Sequence, residues 1–498
     1  MLPAKKRILL AVAAACLAGA PLAHAQSQIN LPAIGAPAGS GELSPSDERK
    51  IGEESMVQIR ESRYYLDDPV LQDYLMRLGY RLVAMTPSSS MYDFLFFPLK
   101  VGEINAFALP GGFIAVFSGT ILAAQDESEL AGVIAHEIAH VTQRHIARMF
   151  EQSKGNVATA LGSFLLAILA ASAGGSSGGE AAQAIAVGSQ AAMIANQLKF
   201  SRSAEQEADR IGFQSLVRAG YDPNGMARFF KRLLQRTGPY EANASAYLSD
   251  HPLTVSRIAD MEDRARALQM PFRQRDNFDF ELMQARALAL LADGTDERAD
   301  ARKRFEAALA KSSAQDAAPL HYGLSLTLAS LGDGKGALEE AEKAARSAGR
   351  KSLVLELNLA EARYLASEDK DPALKELEAL SERNPLSAMV AKAYIRDLYL
   401  LNRHSEIIRF LKKQEAISQE NPDYYRYLAR SHEALGHQSE AFQATGRMYR
   451  LLGDWKLAAY QFKHAQNAAD GDFFTMSEID ADLREAEERM KEKEKEER

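Results

Sequence analysis

The spacing of hydrophobic and polar positions divides the chain into two long regions. Residues 45 to about 275 have mainly helical periodicity, interrupted between Tyr92 and Phe117 by apolar runs on either side of Pro110-Gly111-Gly112. Short apolar runs around such a turn predict strands, so we expect a small sheet attached to a helical body. From residue 277 onward the pattern predicts one helix after another, joined by short turns.

The second region contains a recurring turn motif. Three Leu-Gly pairs are each followed, five residues after the glycine, by an alanine: Leu331-Gly332 with Ala337, Leu435-Gly436 with Ala441, and Leu452-Gly453 with Ala458. Asn384-Pro385 and Asn421-Pro422 are predicted to open helices 37 residues apart. This turn, the small residue beyond it and a period of about 34 to 37 residues resemble degenerate tetratricopeptide repeats.

About four repeats would fit between residues 277 and 470. Stacked helix pairs form a solenoid whose concave face can hold a peptide or a partner's helix, so this region is expected to bind rather than to catalyse. An unrelated helical bundle is the alternative. Arg484 to Arg498 is almost entirely charged and is expected to be a solvated helix or a frayed tail.

The beginning of the chain has the three parts of a secretory signal peptide. A basic cluster at 5–7 precedes an apolar run from Ile8 to about Ala20, and Ala23-His24-Ala25 supplies an A-x-A cleavage site. The apolar run is shorter than the roughly 20 residues that a membrane-spanning helix needs. The mature chain is therefore expected to be exported, and because Cys16 is the one cysteine, it would contain neither a disulfide nor a cysteine nucleophile.

Ordered structure is expected to begin near Ser44, after a Pro-, Gly- and Ser-rich leader. Ser44 can cap a helix, Pro45 suits its first position, and Asp47 places a carboxylate at the positive helix end. The formal charge of the whole chain is −8, and because residues 1–25 contribute three positive charges, the remainder carries −11. That balance argues against nucleic-acid binding.

A predicted helix around residue 135 carries the candidate chemistry. It opens with a capping-box-like Asp126 and Glu129, and its apolar positions fall on one stripe: Leu130, Ile134, Ile138 and Val141. His136 and His140 of its HEIAH sequence are about one turn apart, so both imidazoles can bind one zinc ion. Glu137 lies beside the metal as the candidate general base that takes a proton from zinc-bound water.

Catalytic zinc needs a third protein ligand and an open coordination position. His145 would lie about 180° around a continuing helix from the first histidine of HEIAH, so the sequence predicts a surface histidine. The helix predicted from Ser201 to Ala219 instead offers Glu205 and Asp209 on one face and Glu207 on another. A ligating carboxylate with a nearby Asp that orients a ligand histidine is chemically reasonable, but spacing alone does not decide which carboxylate binds.

Two motifs together resemble the gluzincin peptidases, a family that includes the CaaX prenyl endoprotease and the bacterial heat-shock membrane protease. HEIAH at 136–140 and EQEAD at 205–209 match the family's HExxH and ExxAD patterns. The likeness covers residues 45 to 265 through three further matches: Ile104-Asn105-Ala106-Phe107, Pro110-Gly111-Gly112, and His251-Pro252 with Arg257. The resemblance implies a zinc metalloendopeptidase with one Zn²⁺ per chain and a fixed set of site residues: ligands His136, His140 and Glu205, with Glu137, Asp209 and His251 in catalytic roles.

We therefore expect a mainly α protein, with a zincin-like helical metallopeptidase domain, a small β-sheet and an α-helical tetratricopeptide-repeat solenoid. The expected segments are a signal peptide (1–25), a flexible leader (26–44), the zinc metallopeptidase domain (45–275), the repeat domain (277–470) and a charged C-terminal tail (471–498). Membrane-bound family members have spanning helices, whereas the longest apolar run expected in the mature chain, Val157 to Ala173, is short. It is expected to be a mobile amphipathic or buried segment, and membrane contact is the alternative.

Two features of the sequence are candidates for binding the substrate and for controlling its access to the zinc. Asn105, Ala106 and Phe107 begin a segment that is either an edge strand for pairing with an extended substrate or an ordinary core strand. His251 is a turn residue, a donor to the reaction's oxyanion, or an occupant of the open zinc position in a latent enzyme. We hypothesise that His251 and the 157–200 segment together gate the cleft.

The signal peptide and the repeats resemble those of exported family members that act in the periplasm. This implies a zinc endopeptidase with chaperone activity in assembly and quality control of outer-membrane proteins, with no transmembrane segment in the mature protein. Its substrates would be unfolded or misassembled outer-membrane proteins, and the repeats would dock the outer-membrane β-barrel assembly machinery. The alternatives are a non-proteolytic periplasmic chaperone or adaptor with a structural or latent zinc site, and a membrane-associated processing enzyme.

Overall fold

The computed structural model describes residues 43–151, 200–236, 247, 251–268, 272, 275–313, 316–414 and 421–496. The predicted signal peptide, nearly all of the predicted leader and all but the last residue of the 157–200 segment lie outside the described residues. From Leu43 onward the chain forms one compact unit. Within the described ranges, no helix combines the length and the apolar character that crossing a membrane requires.

The first part of this unit is helical with a small sheet, as the sequence predicts. Its elements in chain order are α1 (Pro45–Glu61), α2 (Pro69–Val83), a short 3-10 helix (Ser89–Met91), β1 (Leu95–Leu99), β2 (Ala106–Leu109), β3 (Phe113–Phe117), α3 (Ser118–Ala123), α4 (Glu127–Thr142), α5 (His145–Glu151), α6 (Arg202–Arg218), α7 (Gly225–Arg236) and α8 (Val255–Ala267).

Helix α1 begins where the sequence predicts. The side chain of Ser44 accepts a hydrogen bond from the backbone N–H of Asp47, and the Asp47 carboxylate accepts one from the backbone N–H of Ser44. This reciprocal pair satisfies two N–H groups that a helix start otherwise leaves without partners.

The sheet has three strands in the order β1-β3-β2, so β2 is an edge strand. β1 runs parallel to β3, and β2 is antiparallel to β3, with Ala106 opposite Val116. Gly111 and Gly112 join β2 to β3 with φ of 78° and 95°. A Cβ at Gly111 would lie 2.5 Å from Cα of Arg49, so the turn needs glycine for space as well as for its backbone conformation.

Helix α4 is the centre of this part of the fold. It packs against the sheet and against α2, α6 and α7. The predicted apolar stripe is buried, but all other residues of α4 are buried as well, including the HEIAH face. The HEIAH side chains therefore lie inside the protein, between α4 and the helices that cover it.

The second part consists of six consecutive helix pairs among the described residues, more than the four repeats expected. The helices are α9 (Phe278–Leu291), α10 (Thr295–Leu309), α11 (Ala317–Ser330), α12 (Gly334–Ser347), α13 (Leu353–Ala366), α14 (Asp371–Arg383), α15 (Ala388–Leu400), α16 (His404–Lys413), α17 (Pro422–Ala434), α18 (Gln438–Leu451), α19 (Trp455–Ala468) and α20 (Phe473–Glu496). Each helix packs against the next along the chain, which is the arrangement of an α-helical solenoid.

The Leu-Gly turns are confirmed. Gly332, Gly436 and Gly453 adopt φ of 82°, 81° and 78°, the left-handed conformation that ends a helix and that glycine adopts without steric cost. The alanines that follow them are buried between helices, where a larger side chain would separate the pair: Ala337, Ala441 and Ala458.

Two predictions for the repeat region differ from the structure. Asn421 caps α17 as expected, but Asn384 is the C-cap of α14, and α15 begins later, after the N-cap Ser387. The segment expected to be a charged tail (471–498) contains helix α20, which agrees with the solvated-helix alternative for its last part. The difference is that α20 packs on α19, with Ile479 and Ala486 fully buried. Charged residues outnumber apolar ones in this segment, so its sequence did not predict that these two positions are buried.

The two parts share a continuous hydrophobic core, and a buried ion pair joins them. Arg286 on α9 donates to both carboxylate oxygens of Asp68, at 2.7 and 2.6 Å, and to the hydroxyl of Tyr322 at 2.6 Å. Asp68 also caps α2 by accepting from the backbone N–H of Leu71. The first repeat helix is thereby tied to the start of a helix that packs on α4.

Candidate metal centre

Helix α4 brings three of the predicted site residues together. Its first turn is fixed by Asp126, which accepts from the backbone N–H of Glu129, while Glu129 accepts from the backbone N–H of Gln125. About two and three turns further on, the Nε2 atoms of His136 and His140 lie 3.0 Å apart, and both side chains are fully buried. Two imidazole nitrogens at this separation can bind the same ion.

Helix α6 supplies carboxylates against this face because it approaches α4 very closely. Ser201 caps α6, and a Cβ at Gly212 would lie 3.0 Å from the backbone of Ala135, so a larger residue would push the helices apart. One face of α6 therefore carries Glu205 and Asp209 to the histidines. Both carboxylates are buried.

Four side chains converge at one point. Oε2 of Glu205 lies 3.4 Å from Nε2 of His136, and Oε1 of Glu205 lies 3.5 Å from Nε2 of His140. Nδ1 of His251 lies 3.0 Å from Oε1 of Glu205 and 3.4 Å from Nε2 of His136. Ligand atoms of these four residues lie within 4.8 Å of one another.

This geometry fits zinc. Zinc–nitrogen and zinc–oxygen bonds of about 2.0 to 2.1 Å in a tetrahedron place neighbouring ligand atoms about 3.3 Å apart, close to the separations seen here. Two histidines and a glutamate are a usual protein ligand set for catalytic zinc. The charges agree as well: with the histidines neutral, as zinc ligands must be, the buried carboxylates of Glu137, Glu205 and Asp209 exceed the single guanidinium of Arg257 by two negative charges. A divalent cation would compensate this excess.

Two polar residues outside this cluster contact the side chains of the candidate ligands. Oδ1 of Asp209 lies 3.1 Å from Nδ1 of His136. Arg257 on α8 donates to both oxygens of Asp209, at 2.6 and 2.8 Å, and its Nη1 lies 2.7 Å from Oε2 of Glu205. Arg257, which the sequence singles out only as part of the family likeness, thus pairs with two buried carboxylates and is itself buried.

These contacts shift the proton affinities of the groups. Burial lowers the pKa of His136, but its hydrogen bonds to Asp209 and Glu205 outweigh burial and raise the pKa to about 9. Burial raises the pKa of Glu205, but the neighbouring His251 and His136 hold it well below the usual range of a glutamate. The pair therefore keeps Glu205 ionised and His136 protonated in the metal-free protein.

Glu137 and His251 lie together at this centre. Glu137 is fully buried, one residue after His136 on α4, and its Oε1 lies 3.5 Å from Nε2 of His251. His251 is thus between Glu137 on one ring nitrogen and the ligand cluster on the other. Of the three alternatives for His251, an ordinary turn residue is the one that this position does not favour.

The prediction that His145 lies on the surface is wrong, because α4 does not continue to it. Helix α4 ends at Thr142, Arg144 adopts a left-handed φ of 54°, and α5 begins at His145. The change in direction buries His145 and brings its Nδ1 to 2.9 Å from Nδ1 of His140. Glu207, on the other face of α6 as expected, lies 3.1 Å from Nε2 of His145.

Three aromatic residues that the sequence reading missed surround the histidines. The ring of Phe200 lies 4.0 Å from that of His140, and the ring of Phe230 on α7 lies 5.9 Å from that of His136. Tyr247 stacks on His251 with ring centroids 4.7 Å apart. Only Tyr247, four residues before His251, has a spacing that could have drawn attention to it.

The predicted substrate residues lie next to this helix. Asn105 immediately precedes β2, while Ala106 and Phe107 are its first two residues, and all three are buried. β2 packs against α4 and forms an edge of the sheet. The backbone carbonyl of Asn105 accepts hydrogen bonds from the backbone of Phe117 and the hydroxyl of Thr120, which fixes the start of the strand.

Parts of the chain are similar to known proteins. Residues 74–265 match Peptidase family M48, in agreement with the resemblance drawn from HEIAH and EQEAD. The putative beta-barrel assembly-enhancing protease of Vibrio cholerae is 40% identical over 294 residues, which is 58% of this chain and 58% of that protein. The beta-barrel assembly-enhancing protease of Escherichia coli K12 is 38% identical over 299 residues, 59% of each chain.

A further relative matches over a shorter length. The metalloprotease LoiP of Escherichia coli K12 is 32% identical over 165 residues, 33% of this chain and 60% of that protein. The chain thus spans less than two thirds of the length of each of these relatives. The solved structure of yeast Tom70 aligns with 73% of this chain and 82% of its own, at 11% identity and a TM-score of 0.26, which is too low to carry an argument.

Proposed function

We propose that this chain, which carries a Peptidase family M48 domain in residues 74–265, is a zinc-dependent endopeptidase. The observation that carries the proposal is the 3.0 Å separation between Nε2 of His136 and Nε2 of His140, with Glu205 within 3.5 Å of both. These three residues are the zinc ligands in this proposal, with one ion per chain. A bound zinc ion polarises the scissile carbonyl and lowers the pKa of a water molecule.

Glu137 is the general base. It follows a ligand histidine directly on a rigid, buried helix, so its carboxylate is held beside the reacting atoms. Glu137 accepts a proton from the water that attacks the peptide carbonyl and then delivers it to the leaving amine as the C–N bond breaks. A site with a purely structural role would have no need of this carboxylate.

Asp209 and Arg257 position the ligands. Oδ1 of Asp209 lies 3.1 Å from Nδ1 of His136, so it would take the proton of Nδ1 and leave the Nε2 lone pair free for the ion. Arg257 holds Asp209 with two nitrogens and Glu205 with a third, so it fixes the relative placement of two carboxylates. Its single charge also reduces their mutual repulsion.

His251 is a latch in this proposal. Its Nδ1 belongs to the ligand cluster, so it takes the position that water or substrate needs in an active site. Support comes from the stacking of Tyr247 and from the 3.5 Å approach to Glu137, which together retain the imidazole. Removal of His251 from the cluster would expose both the open coordination position and the base. The suggested role of the 157–200 segment falls outside the described residues, save Phe200.

Strand β2 is the proposed docking strand for substrate. It is an edge strand that packs against α4, the helix that carries HEIAH. An extended peptide paired along Asn105, Ala106 and Phe107 would gain main-chain hydrogen bonds regardless of its sequence. That mode of binding suits an endopeptidase acting on unfolded chains.

We place this activity in the periplasm, on outer-membrane proteins that are unfolded or misassembled. Support comes from the signal-peptide pattern before residue 26 and from the names of the Vibrio and Escherichia relatives. The helix pairs after residue 277 would dock the outer-membrane β-barrel assembly machinery and add a chaperone activity. A non-proteolytic chaperone with a latent zinc site is the second candidate, which the position of His251 favours.

The proposal is tested with dye-labelled unfolded casein as substrate. The zinc-loaded wild type should cleave it, lose activity with 1,10-phenanthroline and regain activity with added zinc. Glu137→Gln should retain casein binding without cleavage if capture and proteolysis coexist. Absence of cleavage by both the wild type and the His251→Ala variant, with zinc bound in each, would support the non-proteolytic alternative.

A further inference from the structure

The two ligand histidines are supported in different ways. A ligand imidazole needs a partner for its second nitrogen, because that hydrogen bond fixes the tautomer and the ring orientation. For His136 the partner is the carboxylate of Asp209. For His140 it is another imidazole, that of His145, with the two Nδ1 atoms 2.9 Å apart.

Metal binding by His140 would determine which ring nitrogen carries the proton, first on His140 and then on His145. If Nε2 of His140 binds the ion, its proton is on Nδ1 and is donated to Nδ1 of His145. The proton of His145 is then on Nε2, where Oε2 of Glu207 accepts it at 3.1 Å. The chain Glu207, His145, His140 thus has one consistent set of donors and acceptors.

The surroundings hold His145 in place. It is 4% exposed, and the turn before it is anchored by Arg144, which donates to the buried carboxylate of Glu48 at 2.8 Å. Arg148 on the next turn of α5 lies 3.2 Å from the same oxygen of Glu207 that His145 contacts. The turn that precedes His145 and the carboxylate of Glu207 are therefore each held by a charged partner.

Other roles for His145 fit these distances less well. Its Nδ1 faces His140 and its Nε2 faces Glu207, so neither ring nitrogen is directed into the cluster of His136, His140, Glu205 and His251. Its burial excludes a surface role. What remains is an indirect action through His140.

We propose that Glu207 and His145 are positioning residues that hold His140 as a zinc ligand. This inference rests on the proposed zinc function. Glu207 orients His145, and His145 accepts the Nδ1 proton of His140, so the Nε2 lone pair is kept toward the ion. A ligand histidine without such a partner binds its metal about 10- to 100-fold more weakly.

The experiment measures zinc affinity by competition with a chromophoric chelator, using full-length chains without substrate. His145→Ala should weaken zinc binding about 10- to 100-fold. His145→Asn should restore a large part of the affinity, because the amide oxygen of Asn can accept the Nδ1 proton of His140. Glu207→Gln should have an intermediate effect, since the amide still accepts a hydrogen bond but lacks the charge.

The matched control is His321→Ala. His321 in the repeats also pairs with a carboxylate, Glu340 at 2.6 Å, so its removal disrupts a similar contact outside the metal centre. Zinc affinity should stay at the wild-type value in this variant. The thermal unfolding midpoint of each zinc-free variant shows whether a weaker zinc affinity comes from the lost contact to His140 or from an unfolded chain.

The outcomes distinguish this inference from the proposed function. Unchanged zinc affinity in both His145→Ala and Glu207→Gln would overturn the inference without contradicting the proposed protease activity of the wild type. Weakened affinity in these variants, with rescue by His145→Asn, would support it even if the wild type cleaved no substrate. A wild type that binds no zinc would overturn both.

Discussion

Oδ1 of Asp209 lies 3.1 Å from Nδ1 of His136, and Arg257 holds the same carboxylate with two nitrogens. This contact makes Asp209 a determinant of metal affinity although it is not a ligand in our account. Asp209→Asn removes its charge and one acceptor for Arg257. We expect zinc affinity to fall about 10- to 100-fold, measured by chelator competition.

The control for this change is Asp68→Asn. Asp68 is also buried and paired with an arginine through two bonds, but it belongs to the junction with the repeats. This variant should lose stability and keep its zinc affinity. Equal zinc affinities for wild type and Asp209→Asn would mean that Asp209 serves only the fold.

Zinc binding should release a proton. In the metal-free protein the pKa of His136 is about 9, because its contacts with Asp209 and Glu205 outweigh burial. The protonated imidazole cannot bind zinc, so below this pKa the ion must displace a proton, and affinity should rise with pH until about 9. Glu205 contributes no proton, since its pKa is already well below the usual range.

The measurement is calorimetry at pH 7.5 in two buffers of different ionisation enthalpy. The apparent enthalpies should differ in proportion to the released proton. Identical enthalpies in both buffers would show that His136 is neutral before zinc binds and would contradict the assignment.

His251→Ala should increase cleavage of an unfolded substrate. The change removes the imidazole that competes with water and substrate for the cluster, so activity per bound zinc should rise several-fold. Tyr247→Phe is the matched variant, because it keeps the ring that stacks on His251 and removes only the hydroxyl. Activity at or below the wild-type level in His251→Ala would contradict the latch and would favour a role in stabilising the oxyanion.

Arg286→Ala should destabilise the chain strongly. The substitution leaves Asp68 buried without its two-bond partner, which typically costs about 3 to 5 kcal/mol. The midpoint of chemical unfolding should fall, and limited proteolysis should show earlier cleavage between the peptidase and repeat parts. Arg346→Ala, which removes an exposed pair with Glu342, is the control and should leave the midpoint unchanged. Equal midpoints for Arg286→Ala and wild type would refute this coupling.

Features governed by local chemistry were predictable from the sequence. Ser44 starts α1 because its own hydroxyl and Asp47 satisfy the helix end. Gly332 ends α11 because glycine adopts the left-handed backbone freely. His136 and His140 meet because helical spacing places them on one face, and the sheet follows from apolar runs around two glycines.

Features governed by distant contacts were not predictable. The burial of His145 depends on a left-handed Arg144, an unfavourable conformation for a non-glycine residue, and the contact that anchors it comes from Glu48, far away in sequence. The choice of Glu205 over Glu207 needed the family pattern, because spacing along α6 permits either. The packing of α20 was not predictable either, because its few apolar residues form a buried face only when α19 lies beside them.

The central claim is a zinc site of His136, His140 and Glu205 with Glu137 as base. Its most direct test is zinc per chain and casein cleavage measured on the same samples of wild type, Glu137→Gln and Glu205→Gln. The account predicts one zinc and activity for the wild type, one zinc without activity for Glu137→Gln, and weakened zinc binding without activity for Glu205→Gln. Full activity in either variant would contradict the account.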